Sequence, residues 1–218
     1  MYTERILNNS DWIIYILLIC IILLAVLKSK YSHRFETFTK LAFQITFFKL
    51  YNRDIDRKHP FTFISSFINI LSCSLFLYIF FQYYKPEWKV EGIGWYIRIA
   101  TFYSSFILGK LWIEQILGLL IKKDNEFSNY VYEKLLGRNM LSIFVLIWNI
   151  LLLFVLGTTP ATMLLACSSI LVINALSVVS IYIRNHTQIF SSIFYIILYL
   201  CVLEIGPYLL IINALISN

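Results

Sequence analysis

The sequence is poor in charge, because only 14% of its 218 residues are Asp, Glu, Lys or Arg. A soluble domain of this length usually carries about 25% charged residues and rarely exceeds about 50% apolar residues. Here 60% of the residues are hydrophobic, and several long runs contain almost no charge. A water-soluble fold could not bury that much apolar surface, so the composition predicts a polytopic membrane protein. It excludes a nucleic-acid-binding domain, despite the net charge of +6, as well as a secreted disulfide scaffold and a disordered tail.

Cysteine, glycine and proline are also scarce. The four cysteines all fall inside apolar runs, and they are Cys20, Cys73, Cys167 and Cys201. None has the spacing of metal ligands, and none lies in a loop that a disulfide would tie, so we interpret them as small packing residues. No Gly/Ser-rich or Pro-rich linker divides the chain, and no internal repeat is visible. This predicts a single membrane domain over 1–218.

Enzyme motifs are missing as well. The sequence contains no HExxH, no GxSxG, no paired-acid motif and no glycine-rich loop that would hold a phosphate, which argues against an ATP-driven pump acting alone. Its three histidines, His33, His59 and His186, belong to separate segments at the predicted membrane edge. We therefore predict no enzymatic activity, no cofactor and no metal. A membrane enzyme that uses His59 and His186 is the minor alternative.

What the sequence has in abundance is long apolar runs. A helix needs about twenty residues, at 1.5 Å each, to cross about 30 Å of hydrocarbon. No strand-like alternation recurs, so the predicted fold is an all-α polytopic membrane protein of about six transmembrane helices. The predicted spans are 12–27, 61–84, 95–121, 140–156, 161–183 and 191–216. Only residues 157–160 join the fourth span to the fifth, which predicts a tight antiparallel hairpin.

The segment 33–50 differs from these spans. Apolar residues recur there at three- or four-residue spacing, and polar residues fill most of the other side; the apolar positions are Phe35, Phe38, Leu41/Ala42, Ile45 and Phe48. That pattern predicts an amphipathic helix in the cytoplasmic interface, with its apolar face toward acyl chains and its basic face toward anionic headgroups. We interpret the helix as a topological anchor that leads into the second span. Lipid sensing or partner docking is the alternative.

Basic residues gather on one side of the predicted spans. The connection 28–60 carries eight Lys or Arg, 122–139 carries four and 184–190 carries one, against three on the opposite side. Because cytoplasmic loops carry the basic excess, both termini are predicted to face outward. An even number of spans agrees with this, since it returns the chain to the side on which it began.

Three charges fall deep inside the predicted spans: Lys110 and Glu114 in the third, and Glu204 in the sixth. Intramembrane charges are costly and usually face protein or water. Lys110 and Glu114 are four residues apart and share a helix face, whereas Lys110 and Glu204 have similar predicted depths. We expect Lys110 to pair with one of the two carboxylates, most simply holding the third and sixth helices together. The alternative is that Glu204 binds and releases a proton or a cation.

The surroundings of Glu204 are compatible with either role. Pro207 cannot donate a backbone hydrogen bond to the carbonyl of Leu203, which predicts a kink and a freed carbonyl beside the carboxylate. Broken helices of this kind occur at transporter sites. Tyr195 and Tyr199 precede Glu204 by about two turns and slightly more than one turn, so we expect them to line the same groove.

Small and hydroxyl-bearing residues form stripes on two spans. The second span carries one stripe of Ser65, Ser66, Asn69, Ser72 and Cys73. The fifth span carries a looser stripe of Ala166, Ser169, Asn174, Ser177 and Ser180. Close helix packing with interhelical hydrogen bonds explains both stripes. A polar lining for a substrate path is the alternative.

Three short motifs point to a family. They are YLCVLEIGP at 199–207, FKLYN at 48–52, and Arg138-Asn139 at the start of the fourth span. Together they resemble an uncharacterised family of bacterial inner-membrane proteins that is defined as a domain of unknown function. The resemblance covers nearly the whole chain and implies a location in the bacterial cytoplasmic membrane. It implies no activity, substrate, cofactor or site residue.

These observations leave two functions open. The first is an integral inner-membrane structural or accessory subunit that docks on other membrane or envelope proteins. That function is favoured by three features predicted for the chain: short loops, no soluble catalytic domain and few buried charges. The second is a proton- or cation-coupled carrier of a small or lipidic solute, with Glu204 as the coupling carboxylate and Lys110 as its counter-ion. The predicted partners are membrane lipids and other membrane proteins, and no nucleic acid.

Overall fold

The computed structural model describes residues 11–36, 60–84, 90, 92–120 and 124–189. Nearly all of these residues are helical, and none of them forms a strand. The elements in chain order are α1 (Asp11–Lys30), α2 (Pro60–Tyr84), α3 (Ile93–Leu120), α4 (Asp124–Ile150), a π-helical segment (Leu151–Val155) and α5 (Pro160–Ile189). The prediction of an all-α fold is confirmed.

Within the described residues, four stretches of helix are long and apolar enough to cross a bilayer. They are Asp11–Lys30, Pro60–Tyr84, Lys134–Val155 and Pro160–Ser177. Helices suit this environment because every interior backbone N–H and C=O bonds within the same segment, where no water is available. The chain is therefore an all-α membrane protein. The helix α3 is long enough to span as well, but it carries Arg98 and Lys110 and is not one of the four.

The start of α4 differs from the prediction. The predicted fourth span began at residue 140, whereas α4 begins at Asp124 and its apolar stretch begins at Lys134. Lys134 and Arg138, which the sequence analysis counts in the basic connection 122–139, thus lie on the helix. Long cationic side chains tolerate such positions because their methylene stems lie along apolar surface while the charged group reaches a polar environment. The predicted sixth span, 191–216, lies outside the described residues.

The chain continues as helix beyond α1. Residues 32–36 are helical, and the backbone N–H groups of Tyr31 and Phe35 donate to the carbonyls of Leu27 and Tyr31 at 3.0 and 2.8 Å. Tyr31 packs edge-on against Phe61 at the start of α2, with ring centroids 6.3 Å apart. This segment is the beginning of the predicted interfacial helix 33–50, whose remainder, 37–50, lies outside the described residues.

The helix α2 lies at the centre of the bundle, where it contacts α1, α3 and α4, and α4 in turn contacts α3 and α5. Two apolar clusters mark the two ends. One contains Trp12, Tyr78 and Tyr96, whose rings meet at centroid distances of 5.1 Å (Trp12–Tyr78) and 5.3 Å (Trp12–Tyr96). The other joins Leu27 at the end of α1 to Leu136 near the start of the apolar part of α4. Helices that follow one another in the chain therefore run antiparallel, whereas α2 and α4 run parallel.

The connection between the π-helical segment and α5 is a tight hairpin, as its length predicts. Gly157 has a φ of 70°, a left-handed conformation that disfavours residues with a Cβ. Thr159 caps the new helix, because its Oγ1 accepts from the backbone N–H of Thr162 at 3.3 Å. The hydroxyl oxygen of Thr162 accepts in return from the N–H of Thr159 at 2.9 Å. Pro160 then occupies the first helical position, where its fixed φ suits the helix.

Hydrogen bonds from buried amides join α2 to α4. Asn139 Nδ2 donates to the hydroxyl oxygens of Ser65 and Ser66, at 2.9 and 3.0 Å. One turn along α2, Asn69 Nδ2 donates to the backbone carbonyl of Arg138 at 2.9 Å. Asn69 and Asn139 are each only 1% exposed. Neither amide has access to water, so each depends on neighbouring helices for its hydrogen bonds.

The same pattern continues toward the other end of the pair. Ser72 Oγ donates to the carbonyl of Ser142 at 3.2 Å, and Asn149 Nδ2 donates to the carbonyl of Ser72 at 2.9 Å. Ser72 and Asn149 are fully buried. We call these interhelical bonds the amide ladder. It explains the stripe that the sequence places on the second span, where Ser65, Asn69 and Ser72 all face α4.

The amide ladder predicts that Asn139→Ala destabilises the protein. The substitution removes two interhelical hydrogen bonds, each of which contributes about 0.6 kcal/mol on average between membrane helices. We expect the free energy of unfolding in mild detergent to fall by about 1–2 kcal/mol, since the two serine hydroxyls also lose a buried partner. Ser168→Ala is the control, because the Ser168 hydroxyl is exposed and bonds only within its own helix. Equal stability of Asn139→Ala and the control would contradict a structural role for the amide ladder.

Candidate binding site between α2, α3, α4 and α5

Residues at seven-residue spacing hold one face of α3 against α2. The hydroxyl of Tyr96 donates to the carbonyl of Leu71 at 3.3 Å, and the hydroxyl of Tyr103 donates to Asn69 Oδ1 at 3.3 Å. Seven residues make nearly two helical turns, so Tyr96, Tyr103 and Lys110 lie along one side of α3. The two tyrosines therefore determine that Lys110 faces the other helices instead of the lipid.

Lys110 reaches a cavity of about 310 Å³ that lies between the four helices. The lining is mostly apolar, with a smaller number of polar and cationic groups. Its apolar members are Phe76, Leu77, Phe106, Ile107, Leu111, Leu135, Leu141, Val145 and Ile170. Its polar members are Cys73, Tyr103, Lys110, Lys134, Arg138, Asn174 and Ser177. The mixture is typical of ligand sites, where apolar walls supply most of the contact area and a few polar groups orient the ligand.

Among the described residues of this lining, the charged side chains are all cationic. Lys110 comes from α3, whereas Lys134 and Arg138 come from α4, and all three are partly buried. Lys134 and Arg138 are four residues apart, so they lie one above the other on the same side of α4. Two helices thus direct positive charge into one apolar cavity.

Helix α5 closes the cavity with neutral polar groups. Asn174 and Ser177 are three residues apart and share a face, and both line the cavity. The buried Ala166, two turns earlier, packs into the apolar core with Leu146 and Leu152. In the stripe predicted on the fifth span, Ala166 therefore contributes to helix packing, whereas Asn174 and Ser177 contribute polar groups to the cavity wall.

The predicted site residues fall into two groups. Lys110 lines the cavity, and Glu114 follows it on α3, with a side chain outside the described residues. Glu204, together with the predicted lining residues Tyr195, Tyr199 and Pro207, also lies outside them. The pairing of Lys110 with a carboxylate therefore stays a prediction. Within the described part of the chain, no three His, Cys, Asp or Glu side chains come close enough to hold a metal ion.

Sequence reasoning missed two residues of the cavity, Lys134 and Arg138. Both were assigned to a basic loop, because the positive-inside rule uses only the number of Lys and Arg residues in a connection and takes no account of helix faces. The signal that could have found them is a stripe on α4. Lys134, Arg138, Leu141 and Val145 recur at spacings of four, three and four residues, and all four line the cavity.

The contact between α3 and α2 predicts an effect for Tyr103→Phe. The change removes the hydroxyl that donates to Asn69 Oδ1 and leaves that buried oxygen without this donor. We expect the free energy of unfolding to fall by about 0.5–1.5 kcal/mol, the usual net contribution of such a bond. The matched control is Tyr15→Phe, because Tyr15 is 67% exposed. An unchanged stability for Tyr103→Phe would show that this bond does not hold α3 in place.

Comparison with known proteins identifies the family without adding a function. A protein-family model for DUF4271, a domain of unknown function, matches residues 13–215. No curated protein and no solved structure matches the chain. The family match confirms the resemblance to an uncharacterised family that the short motifs indicate. Because the match covers nearly the whole sequence, the chain belongs to the DUF4271 family.

Proposed function

We propose that this protein is a multi-pass membrane protein that takes a small or lipidic solute into the cavity between α2, α3, α4 and α5. The observation that carries the proposal is the cavity itself, which combines apolar walls with polar groups from all four helices. Its volume of about 310 Å³ lies at the lower end of the range for ligand pockets, about 300–1,000 Å³. A small solute or one end of a lipid would fit such a space.

The position of the cavity supports a ligand that enters from the membrane. Three of its four walls come from helices with apolar membrane-spanning stretches. Lys134 is the first residue of the apolar stretch of α4, so the cationic part lies near one membrane surface. Val145 lies eleven residues, or about 16 Å, further along the helix. The cavity thus changes from charged to apolar with depth, just as a bilayer leaflet changes from polar headgroups to hydrocarbon.

We further propose an inner-membrane location with both termini outside. Leu27, Phe61 and Leu136 belong to one apolar cluster, which brings the end of α1, the start of α2 and the start of the apolar stretch of α4 together. Lys28 and Lys30, in the last turn of α1, thus lie at the same end as the cavity cations. The positive-inside rule makes this end cytoplasmic.

Coupling to protons or cations belongs to the same proposal. Glu204 is the predicted coupling carboxylate, and Lys110 is its predicted counter-ion. The presence of Lys110 in the cavity wall supports the second assignment, because a counter-ion in the wall would sense whether a solute is bound. A carrier of this kind would exchange one charge partner of Lys110 for another as the solute enters and leaves.

A cavity-blocking substitution tests the proposal. Ile170 lines the cavity, whereas the neighbouring Leu171 is 64% exposed on the outside of α5. Ile170→Trp should fill the space and lower the occupancy of bound lipid by at least about fivefold in native mass spectrometry, a loss of about 1 kcal/mol in binding. Leu171→Trp should leave the occupancy unchanged. Equal occupancy in the two variants, both folded by circular dichroism, would contradict the proposed use of the cavity.

The accessory-subunit function is the second candidate. It is supported by the outer surface of α5, because only 11% of the apolar stretch 160–177 is buried by the described residues. Such a surface suits either lipid or the helix of another membrane protein.

Photo-crosslinking from this surface tests the subunit function. A photoreactive residue at Leu171 should capture one protein at a fixed stoichiometry in native membranes. The same residue at the fully buried Met163 should capture none. Capture of lipid alone from Leu171 would contradict docking through α5.

A further inference from the structure

We propose that the ligand of the cavity is a lipid with a phosphate-bearing headgroup, bound at the phosphate by Lys110, Lys134 and Arg138. This inference rests on the proposed function and names the class of its ligand. Its basis is charge complementarity, because three cations from two helices line one cavity at one end of an apolar space.

The charges make an anionic ligand favourable. Like charges that are partly removed from water repel one another, and an anion between them offsets that repulsion. The inference does not require these cations to lack partners within the protein. Each ammonium and guanidinium group carries several N–H donors, so it can bind a partner within the protein and a ligand at the same time.

The types of side chain favour phosphate among anionic groups. The Arg138 guanidinium presents a planar set of N–H donors that matches two phosphate oxygens, and each lysine adds a mobile point charge. Lys110 approaches from α3, and the other two cations approach from α4. A phosphate monoester, as in phosphatidic acid, has three terminal oxygens that can accept from both sides at once, whereas a carboxylate has only two oxygens. Asn174 and Ser177 add neutral donors from α5.

The depth of the cations favours a lipid headgroup over free phosphate. Lys134 begins the apolar stretch of α4, and Arg138 lies four residues, or about 6 Å, deeper. A lipid already places its phosphate near this depth, so binding needs little movement of charge into the membrane. A soluble phosphate would have to leave water for a mostly apolar space, which is costly.

The apolar part of the cavity receives the start of one acyl chain. Phe76, Ile107 and Val145 belong to its wall, and Ile107 and Val145 are largely buried. At about 310 Å³ the cavity is too small for a whole diacyl lipid, so the rest of the molecule lies in the bilayer. The ligand is thus held by its headgroup and extends outward between helices.

Two lipids with the same acyl chains test the inference. Phosphatidic acid carries the phosphate and diacylglycerol does not, so their affinities for the full chain in mild detergent can be compared by native mass spectrometry. We expect phosphatidic acid to bind at least about tenfold more tightly, which corresponds to about 1.4 kcal/mol. Arg138→Gln and Lys110→Gln should each remove most of this preference. Arg98→Gln is the matched control, because Arg98 lies over the Trp95 ring, at 5.2 Å, and does not line the cavity.

A second variant keeps the test decisive if Arg138→Gln fails to fold. Arg138→Lys preserves the charge but loses the paired N–H donors. We therefore expect this variant to fold and to bind phosphatidic acid about threefold to tenfold more weakly than the wild-type chain. Unchanged affinity in this variant and in Lys110→Gln would overturn the assignment of the phosphate to these residues.

The outcomes separate this inference from the proposed function. If diacylglycerol binds as tightly as phosphatidic acid and Ile170→Trp blocks both, the phosphate inference is overturned and the cavity remains a ligand site. If neither lipid binds to the wild-type chain and Ile170→Trp changes nothing, both proposals are overturned. Inorganic phosphate should compete only weakly. Displacement of phosphatidic acid by equimolar inorganic phosphate would make this a site for a soluble anion and would overturn the lipid assignment.

Discussion

The interface between α2 and α4 is the constraint on which the other described helices depend. Its buried asparagines, Asn69, Asn139 and Asn149, donate across the interface to hydroxyl and carbonyl oxygens of the facing helix. Between membrane helices there is no hydrophobic driving force, since lipid chains are as apolar as leucine. Directional hydrogen bonds therefore decide which faces meet and in which register. α1 packs on α2, α5 packs on α4, and α3 packs on both.

The same interface determines where the cavity lies. Asn69 donates to the Arg138 carbonyl and accepts from Tyr103, so one side chain joins α2 to both α4 and α3. Lys110 follows Tyr103 by two turns and is thereby directed to the space where Arg138 lines the wall. A single buried amide thus links packing to the position of two cavity cations. The cost of burying it is offset because both ends of the amide are hydrogen-bonded.

Sequence patterns located the described helices, but they did not indicate the cavity that four of these helices surround. The runs over α1, α2 and the start of α5 are apolar and almost free of charge, so length and composition suffice to locate them. Cations were taken to lie outside the spans, so the predicted fourth span starts at residue 140, whereas α4 begins at Asp124, and Lys134 and Arg138 line a cavity. The polar stripe on the second span correctly indicated packing. The helix that packs against this stripe, α4, was not predictable, because the residues of one helix face do not identify the helix that contacts them.

The sequence by itself determined that this is an all-α membrane protein of an uncharacterised family, because apolar run length and short motifs are local properties of the chain. Only the tertiary structure decided that Lys110, Lys134 and Arg138 share one cavity. Lys110 and Lys134 are 24 residues apart on different helices, and charge counting gave them separate roles, one as a buried partner and one as a topological marker. Their convergence depends on the rotation of α3 and α4 about their axes, and buried hydrogen bonds between helices determine that rotation.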